Sequence, residues 1–318
     1  MPRMSEPSYG DVTGEYLALR EAAAVVRPAH EIVWVRGPDA ISFLNGLLSQ
    51  DIAGIPDGGV ARSFLLTPRG KLVSLLWVLR GTDEVGLVAD PGGAGALTEA
   101  LTRFRFRVDV TIEPGAPTAE VWGPGSESAV GGSGPLVGWG VGDDGLVAAL
   151  PLGPLPRYLV PDAVATRLVD DGVRRAGGVA ATTVRIEAGE PWTGVDVDGG
   201  TIPQETGLVD AAVSFTKGCY LGQELVARID SRGRVNRHLR GVVLGENTIP
   251  PVGAEVIVGD LVVGTLTSVG ESLTLRAPIG MALLRREAGP GDGVQIHWKG
   301  GRAPARVEEL PLDDFSSA

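Results

Sequence analysis

The apolar positions of the chain follow two alternating periods. Tyr16 to Val26 reads as a helix, and Glu31 to Val35 as a strand that stops at Gly37-Pro38. A second helix is expected there: Pro38 suits a first helical turn and Asp39 favours the positive helix end. Ile41, Leu44, Leu47 and Leu48 fall on one of its faces, with Asn45 and Gln50 opposite. From Val60 the period becomes that of strands. Val60 to Thr67 and Leu72 to Leu79 flank Pro68-Arg69-Gly70, a hairpin signature, and Val85 to Ala89 adds a third strand. Thr98 to Leu101 is helical. Arg103, Phe104, Arg105, Phe106 and Arg107 alternate strictly, which predicts a strand with arginines on one face and aromatics on the other. These segments describe a small α+β unit of about 55 residues.

Gly123 to Pro156 is rich in Gly and Pro and reads as a long surface connection. Helix returns at Asp162 to Asp171 and again at Lys217 to Ile229. The tail from Asn236 to Val307 breaks into short β segments at Leu239 to Leu244, Glu255 to Val258, Leu261 to Val269, Gly280 to Leu284 and Gly293 to Trp298. A small barrel or sandwich is the expected outcome. The chain carries no internal repeat and no heptad pattern.

Composition narrows the class. A length of 318 residues suggests about two domains at roughly 150 residues each. One cysteine excludes a disulfide scaffold, 43% hydrophobic residues exclude wholesale disorder, and 47 Gly with 23 Pro fit a turn-rich α+β chain. With 28 Lys and Arg against 39 Asp and Glu the net charge is −11, which disfavours a general affinity for nucleic acid or anionic lipid. Any anionic partner must therefore meet a local basic patch. The polar N-terminal stretch Met1 to Asp11 lacks the apolar region of a secretory signal. The longest uncharged runs, Ser128 to Gly142 and Gly145 to Pro156, are shorter than the roughly 18 residues of a membrane span, so a cytoplasmic location is expected.

Three histidines and one cysteine give no metal-ligand spacing, and neither a G-x-S-x-G elbow nor a Walker A loop occurs. Two segments stand out. The first runs Arg185-Ile186-Glu187-Ala188-Gly189-Glu190-Pro191, through Gly194-Val195-Asp196, to Pro203-Gln204-Glu205-Thr206-Gly207-Leu208. It places carboxylates in a loop punctuated by Gly and Pro. A carboxylate aimed into a pocket matches the paired donors of an aminopyrimidine edge such as that of a pterin. The plain alternative is a solvated acidic loop. The second is Lys217-Gly218-Cys219-Tyr220-Leu221-Gly222-Gln223-Glu224, followed by Leu225 to Ile229. Leu221, Leu225 and Ile229 recur at helical spacing, so a helix is expected near Leu221 with Cys219 just before it. The helix end and Lys217 would both favour a thiolate. Equally, Cys219 is the kind of small group that packs in a core, and Glu224 with Arg228 an i,i+4 surface pair. Five arginines and one histidine between Arg228 and Arg240 form a local exception to the acidic balance, suited to an anionic tail or simply solvated.

At these residues the chain resembles the YgfZ folate-binding proteins, sisters of the glycine-cleavage T-protein. K-G-C-Y-L-G-Q-E looks like the YgfZ signature, and R-I-E-A-G-E-P-W-T-G-V-D with P-Q-E-T-G-L is similar to a segment shared by both groups. Gly37 to Asp51 and the β-rich tail also fit the family order, so the resemblance covers most of the chain. It implies an α+β fold in which a three-part ring surrounds a folate pocket. A discontinuous core (1–54 and 116–235) would hold an inserted ferredoxin-like unit (55–115), with a C-terminal β-barrel (236–318). It also implies tetrahydrofolate or a one-carbon derivative as cofactor. Glu187 matches a pterin-contacting glutamate, Glu205 a shared acidic position, and Cys219 the hallmark cysteine, expected with Lys217 to be a reactive thiol. Tyr220, Gln223 and Arg228 are assigned to the folate site with Glu187 and Glu205, and no metal ligand is expected. One departure bears on activity. Aminomethyltransferases carry G-G-x-x-D-D, whereas this chain has Ser74 and Leu75 in place of both aspartates, and a missing acid-base group costs typically 10²–10⁴-fold. The resemblance therefore implies a folate-dependent factor that supports assembly or repair of iron–sulfur proteins, with client or assembly proteins as partners. The alternatives are an aminomethyltransferase- or demethylase-type folate enzyme and a non-catalytic folate sensor.

Overall fold

The computed structural model of the chain describes residues 6–27, 30–131 and 137–312. Helix α1 (Val12–Glu21) is capped by Asp11, whose carboxylate accepts from the Gly14 amide, and it buries Tyr16 and Leu19. It stops short of the expected Val26, because Val25 and Val26 are β-branched and extend into strand β1 (Ala24–Val26). Next come β2 (Glu31–Arg36) and α2 (Ala40–Leu47), which buries Phe43, Leu44 and Leu47. Strands β3 (Val60–Leu66) and β4 (Leu72–Arg80) form the expected hairpin, its turn closed by Gly70 at φ +71°. With β5 (Glu84–Ala89), α3 (Ala94–Thr102) and β6 (Thr111–Pro114) they make an antiparallel sheet in the order β3-β4-β5-β2-β6. Strand β2, on the far side of the expected boundary at residue 55, pairs inside this sheet between β5 and β6. Helices α2 and α3 cover one face through Leu44, Leu48, Leu97 and Leu101.

Arg103 to Arg107 form no strand. They make a series of turns on the surface, with Arg107 at φ +55° and Phe106 74% exposed. Alternation produces a strand only where a neighbour supplies ladder partners, and the edge beside β2 is taken by β6.

A second sheet is built from β7 (Thr118–Trp122), β8 (Trp139–Gly142), β9 (Gly145–Ala149), β10 (Arg157–Pro161) and β11 (Arg174–Ala176), in the order β11-β1-β7-β10-β9-β8. The expected surface connection at Gly123 to Pro156 is thus partly folded: a short helix, Ser126–Ala129, precedes a hairpin that turns at Gly145, where φ is +102°. Residues 132–136 of that stretch lie outside the described residues. The two sheets meet through Ile32, Trp34, Trp77, Val88, Leu150 and Leu159.

After a helix at Asp162–Asp170, a helix at Gly178–Glu187 is buried along most of its length between the second sheet and the C-terminal barrel. Arg185, Ile186 and Glu187 are its last turn, where a loop was expected; the apolar run before them supplies the buried faces, and Gly189 at φ +68° ends the turn. The helix of the second segment spans Gln223–Arg232, a later start than Lys217 or Leu221. Gly222 sits immediately before it at φ +82°, and a Cβ there would lie 2.5 Å from the Thr67 carbonyl oxygen, so only glycine fits. The tail forms a closed barrel of six strands, Arg237–Leu244, Glu255–Val258, Leu261–Ser272, Ala277–Arg285, Gly293–Trp298 and Gly301–Glu308. The last strand was not foreseen; it pairs with the first and closes the barrel. Among the described residues no helix is long and apolar enough to cross a membrane.

Candidate functional site

Between the first sheet, the loops beside the second sheet and the barrel lies an open cavity of about 640 Å³, within the usual range for small-molecule sites. Val60, Ala61 and Arg62 open β3 along one wall beside Trp77 of β4. The turn Ala188 to Glu190, the segment Thr206 to Leu208, Leu239 and Arg240 of the barrel, and Glu309 to Pro311 of the tail complete it.

Behind this wall runs a buried chain of alternating charges. Arg62 stacks on the Trp77 ring at 4.2 Å and its Nη2 donates to Glu190. Glu190 also accepts from Arg157 Nη2 at 3.3 Å, and Arg157 Nη1 lies 3.8 Å from Glu120. Glu120 accepts from Trp122 Nε1 at 2.7 Å and pairs with His30 Nδ1 at 2.7 Å. The other ring nitrogen of His30 lies 3.2 Å from Asp90, whose second oxygen accepts from the Thr193 amide at 2.6 Å. Burial alone would push His30 down, but the Glu120 charge and the hydrogen bonds of Asp90 and Glu120 outweigh it and hold His30 up at about 9. Burial likewise favours neutral Glu120, yet His30 and Arg157 hold it down at about 2. Glu190 is lowered too, since Arg62 and Arg157 overcome its desolvation. The chain therefore alternates three basic side chains, Arg62, Arg157 and His30, with three acidic ones, Glu190, Glu120 and Asp90, all buried and mutually paired.

Ala188 to Glu190 and Thr206 to Leu208 of the first singled-out segment line the cavity, but the residues named as site residues lie elsewhere. None of Glu187, Glu205, Lys217, Cys219, Tyr220, Gln223 and Arg228 is among the residues lining the cavity. Glu187 turns its carboxylate onto the Tyr16 hydroxyl at 2.6 Å and Arg20 at 3.4 Å. Burial and that carboxylate push the Tyr16 hydroxyl up to about 12. Glu205 accepts both arms of Arg237 at 2.9 and 3.0 Å and the Ile202 amide at 3.0 Å. Lys217 donates to the carbonyls of Asn45, Leu48 and Gln50 at 2.7, 2.9 and 2.7 Å, closing the C-terminal end of α2, and burial lowers it to about 8. Tyr220 is buried with Phe64, Leu66 and Leu75, and Gln223 accepts from its amide at 3.2 Å. Cys219 is exposed between them, and Arg228 is exposed on the helix that follows. The structure thus gathers Lys217, Cys219, Tyr220 and Gln223 at the turn end of β3, while the cavity lies at its other end. Among the described residues no group of three or more His, Cys, Asp or Glu is placed to hold a metal ion.

Residues 237–314 match the Glycine cleavage T-protein C-terminal barrel domain. An aminomethyltransferase of Alkaliphilus oremlandii is 28% identical over 310 residues, covering 87% of this chain and 82% of the relative. The mitochondrial iron-sulfur cluster assembly factor IBA57 of Mus musculus is 31% identical over 297 residues, covering 80% of this chain and 75% of the relative. The chain belongs to the T-protein-like family that holds the aminomethyltransferases and IBA57. Its fold agrees: the crystal structure of the glycine cleavage system aminomethyltransferase T from Bartonella henselae superposes with a TM-score of 0.86 at 22% identity, covering 97% of this chain and 91% of that one. The mixed α/β T-protein-like fold with its C-terminal barrel is the one expected from the sequence.

Within this T-protein-like chain, Ser74 and Leu75 place no carboxylate in the hairpin. Ser74 is buried and donates to the Leu75 carbonyl at 3.0 Å; Leu75 packs with Tyr220 and Val197. The residues that sequence reasoning missed are Arg62, Trp77, Arg157, Glu120 and His30. One signal was present: Arg62 is the only charge in the apolar hairpin run Val60 to Thr67, and a charge in such a run needs a partner once it is buried.

Proposed function

We propose that this chain is a tetrahydrofolate-binding factor of the YgfZ type that supports assembly or repair of iron–sulfur proteins. The observation that carries the reading is the cavity between the first sheet and the barrel. It has the volume of a small-molecule site, and two arginines, Arg62 and Arg240, are among its lining residues. A guanidinium is a donor with no acceptor of its own, so a ligand rich in acceptors, such as a folate, fits this wall. The K-G-C-Y-L-G-Q-E signature and the relation to a protein named as an iron–sulfur assembly factor support the cellular role. Ser74 and Leu75 argue against methylene transfer in glycine cleavage. The relation to the aminomethyltransferases favours a second reading, a folate-dependent transferase or demethylase whose acid lies elsewhere; a non-catalytic folate sensor is the third.

In the first reading Arg62, Glu190 and Arg240 face the folate, and the exposed Cys219 is a reactive thiol that meets a client or a one-carbon group outside the cavity. The test combines calorimetry with tetrahydrofolate, methylene transfer from an aminomethylated carrier protein, and rescue of iron–sulfur enzyme activities in a deletion strain. Binding with rescue and without transfer is the expected result. Rapid transfer would establish the second reading, and absence of binding would remove folate altogether.

A further inference from the structure

We propose that the turn Arg103 to Arg107 is a docking surface for an acidic segment of a partner protein. The inference goes beyond the folate reading, since no residue of the turn lines the cavity. All five residues are exposed, with Phe104 38% and Phe106 74% accessible. The fold does not need them there. Leu101, Val108 and Val110 anchor the two ends of the turn in the core of the first sheet, and neither phenylalanine joins that core. The backbone is nevertheless fixed: the amides of Phe104, Arg105 and Phe106 donate to the carbonyls of Leu101, Thr102 and Phe104 at 3.0, 3.1 and 2.9 Å. Arg107 then turns through the left-handed region at φ +55° and sets its guanidinium 5.1 Å from the centre of the Phe106 ring. Glycine takes that conformation without strain, so the reason for an arginine lies in its side chain. The result is a pre-ordered surface of alternating guanidinium and aromatic groups, the residue types enriched at protein interfaces. Glu99 takes Arg103 in an ion pair, while Arg105 and Arg107 meet no carboxylate among the described residues. Two free cations with the Phe106 ring between them fit carboxylates that flank an apolar side chain. A membrane is the weaker match, because anionic lipid is held by clusters of about four to eight basic residues. A nucleic acid needs a longer track of phosphate contacts, and the net charge of −11 opposes both polyanions. A protein contact acts within a Debye length, about 8 Å at physiological salt, where local charges outweigh the net.

The experiment places a photo-crosslinker at the exposed ring, Phe106→p-benzoylphenylalanine in the full chain. An extract of cells carrying it is irradiated at low and at high salt, and the crosslinked peptides are identified by mass spectrometry. The expected product is a polypeptide whose crosslinked segment is rich in Asp and Glu. Its yield should fall about 10-fold or more at high salt, and by a similar factor at low salt when Arg105→Glu is added. The melting temperature should stay unchanged at this exposed position. Should Arg105→Glu lower it, the salt dependence of the singly substituted chain carries the test. Crosslinks to lipid or nucleic acid, crosslinks to a segment without acidic excess, a yield indifferent to salt and to Arg105→Glu, or no crosslink at all would overturn the proposal. Tetrahydrofolate affinity of Arg105→Glu should match that of the wild type. Loss of folate binding in that variant at an unchanged melting temperature would place the turn in the folate site and overturn the docking surface. A wild-type chain that binds no folate removes the folate reading and leaves the docking surface standing.

Discussion

His30 closes the buried charge chain, and its replacement by glutamine tests whether that chain is ionised. Glutamine retains a donor toward Glu120 but carries no charge. Because His30 is held at about 9 against an ordinary value of 6.5, its protonated form favours folding below pH 6.5. That contribution is lost as the pH rises from 6.5 to 9. At 1.36 kcal/mol per unit the shift corresponds to at most about 3 kcal/mol. Lys217 acts in the opposite sense: it is lowered from 10.5 to about 8, so its share of stability grows above pH 8. Comparing wild type with His30→Gln cancels it. Urea unfolding at pH 6 and pH 9.5 should show the wild type losing about 3 kcal/mol more than the variant between the two values. NMR titration should place His30 well above His238, which burial pushes down. Equal pH slopes in the two proteins, or a His30 midpoint at or below that of His238, would show that the chain holds a neutral imidazole and that Glu120 and Asp90 are balanced in some other way.

Other expectations concern the signature segment. Gly222→Ala should destabilise by at least about 1–2 kcal/mol, since a left-handed residue gains a Cβ against the Thr67 carbonyl; an unchanged melting temperature would refute the steric account. Lys217→Met removes three hydrogen bonds from the end of α2 and should cost about 2 kcal/mol, read by urea unfolding, with Cys219 alkylation little changed if the lysine acts only as a cap. Cys219→Ser, at an exposed position, should change stability by less than about 0.5 kcal/mol; a thiol that alkylates no faster than a free cysteine, together with intact rescue, would remove it from function.

The elements easiest to read in the sequence were those whose own period decides their form. The β3–β4 hairpin carries its turn residues with it, and the barrel strands alternate between Gly and Pro breaks. Arg103 to Arg107 has an equally clear alternation and still makes turns, because a strand also needs a free edge. Residues 185–187 read as loop because Gly and Pro follow them, while the helix behind them is set by Ala180, Ala181 and Val184 packing between sheet and barrel. The site was less legible still. Arg62, Arg157, Glu190, Glu120 and His30 are far apart in the chain and carry no shared spacing; only the junction of two sheets brings them together. The K-G-C-Y-L-G-Q-E segment was found from a resemblance, and its local geometry explains much of its composition: Lys217 caps α2, Tyr220 fills a core, and Gly222 passes the Thr67 carbonyl.

Glu187 shows how a residue can sit beside the cavity in sequence and serve it at one remove. Its neighbours Ala188 to Glu190 line the wall, yet its carboxylate faces α1 through Tyr16, and its backbone carbonyl accepts from Leu312 at 2.9 Å. That last bond fixes the tail whose Leu310 and Pro311 lie against Gly189 and line the cavity with it. A pterin contact predicts that Glu187→Ala weakens tetrahydrofolate and leaves the fold intact. The geometry predicts the reverse order. Removing the carboxylate takes from the buried Tyr16 hydroxyl its charged acceptor and leaves it the hydroxyls of Thr274 and Ser272, at a cost of about 1–3 kcal/mol in stability, while the backbone bond to Leu312 survives and affinity changes little. Calorimetry and urea unfolding on the one variant separate the two: loss of binding at unchanged stability would put the carboxylate in the pocket and require Glu187 to turn away from Tyr16 when the ligand enters.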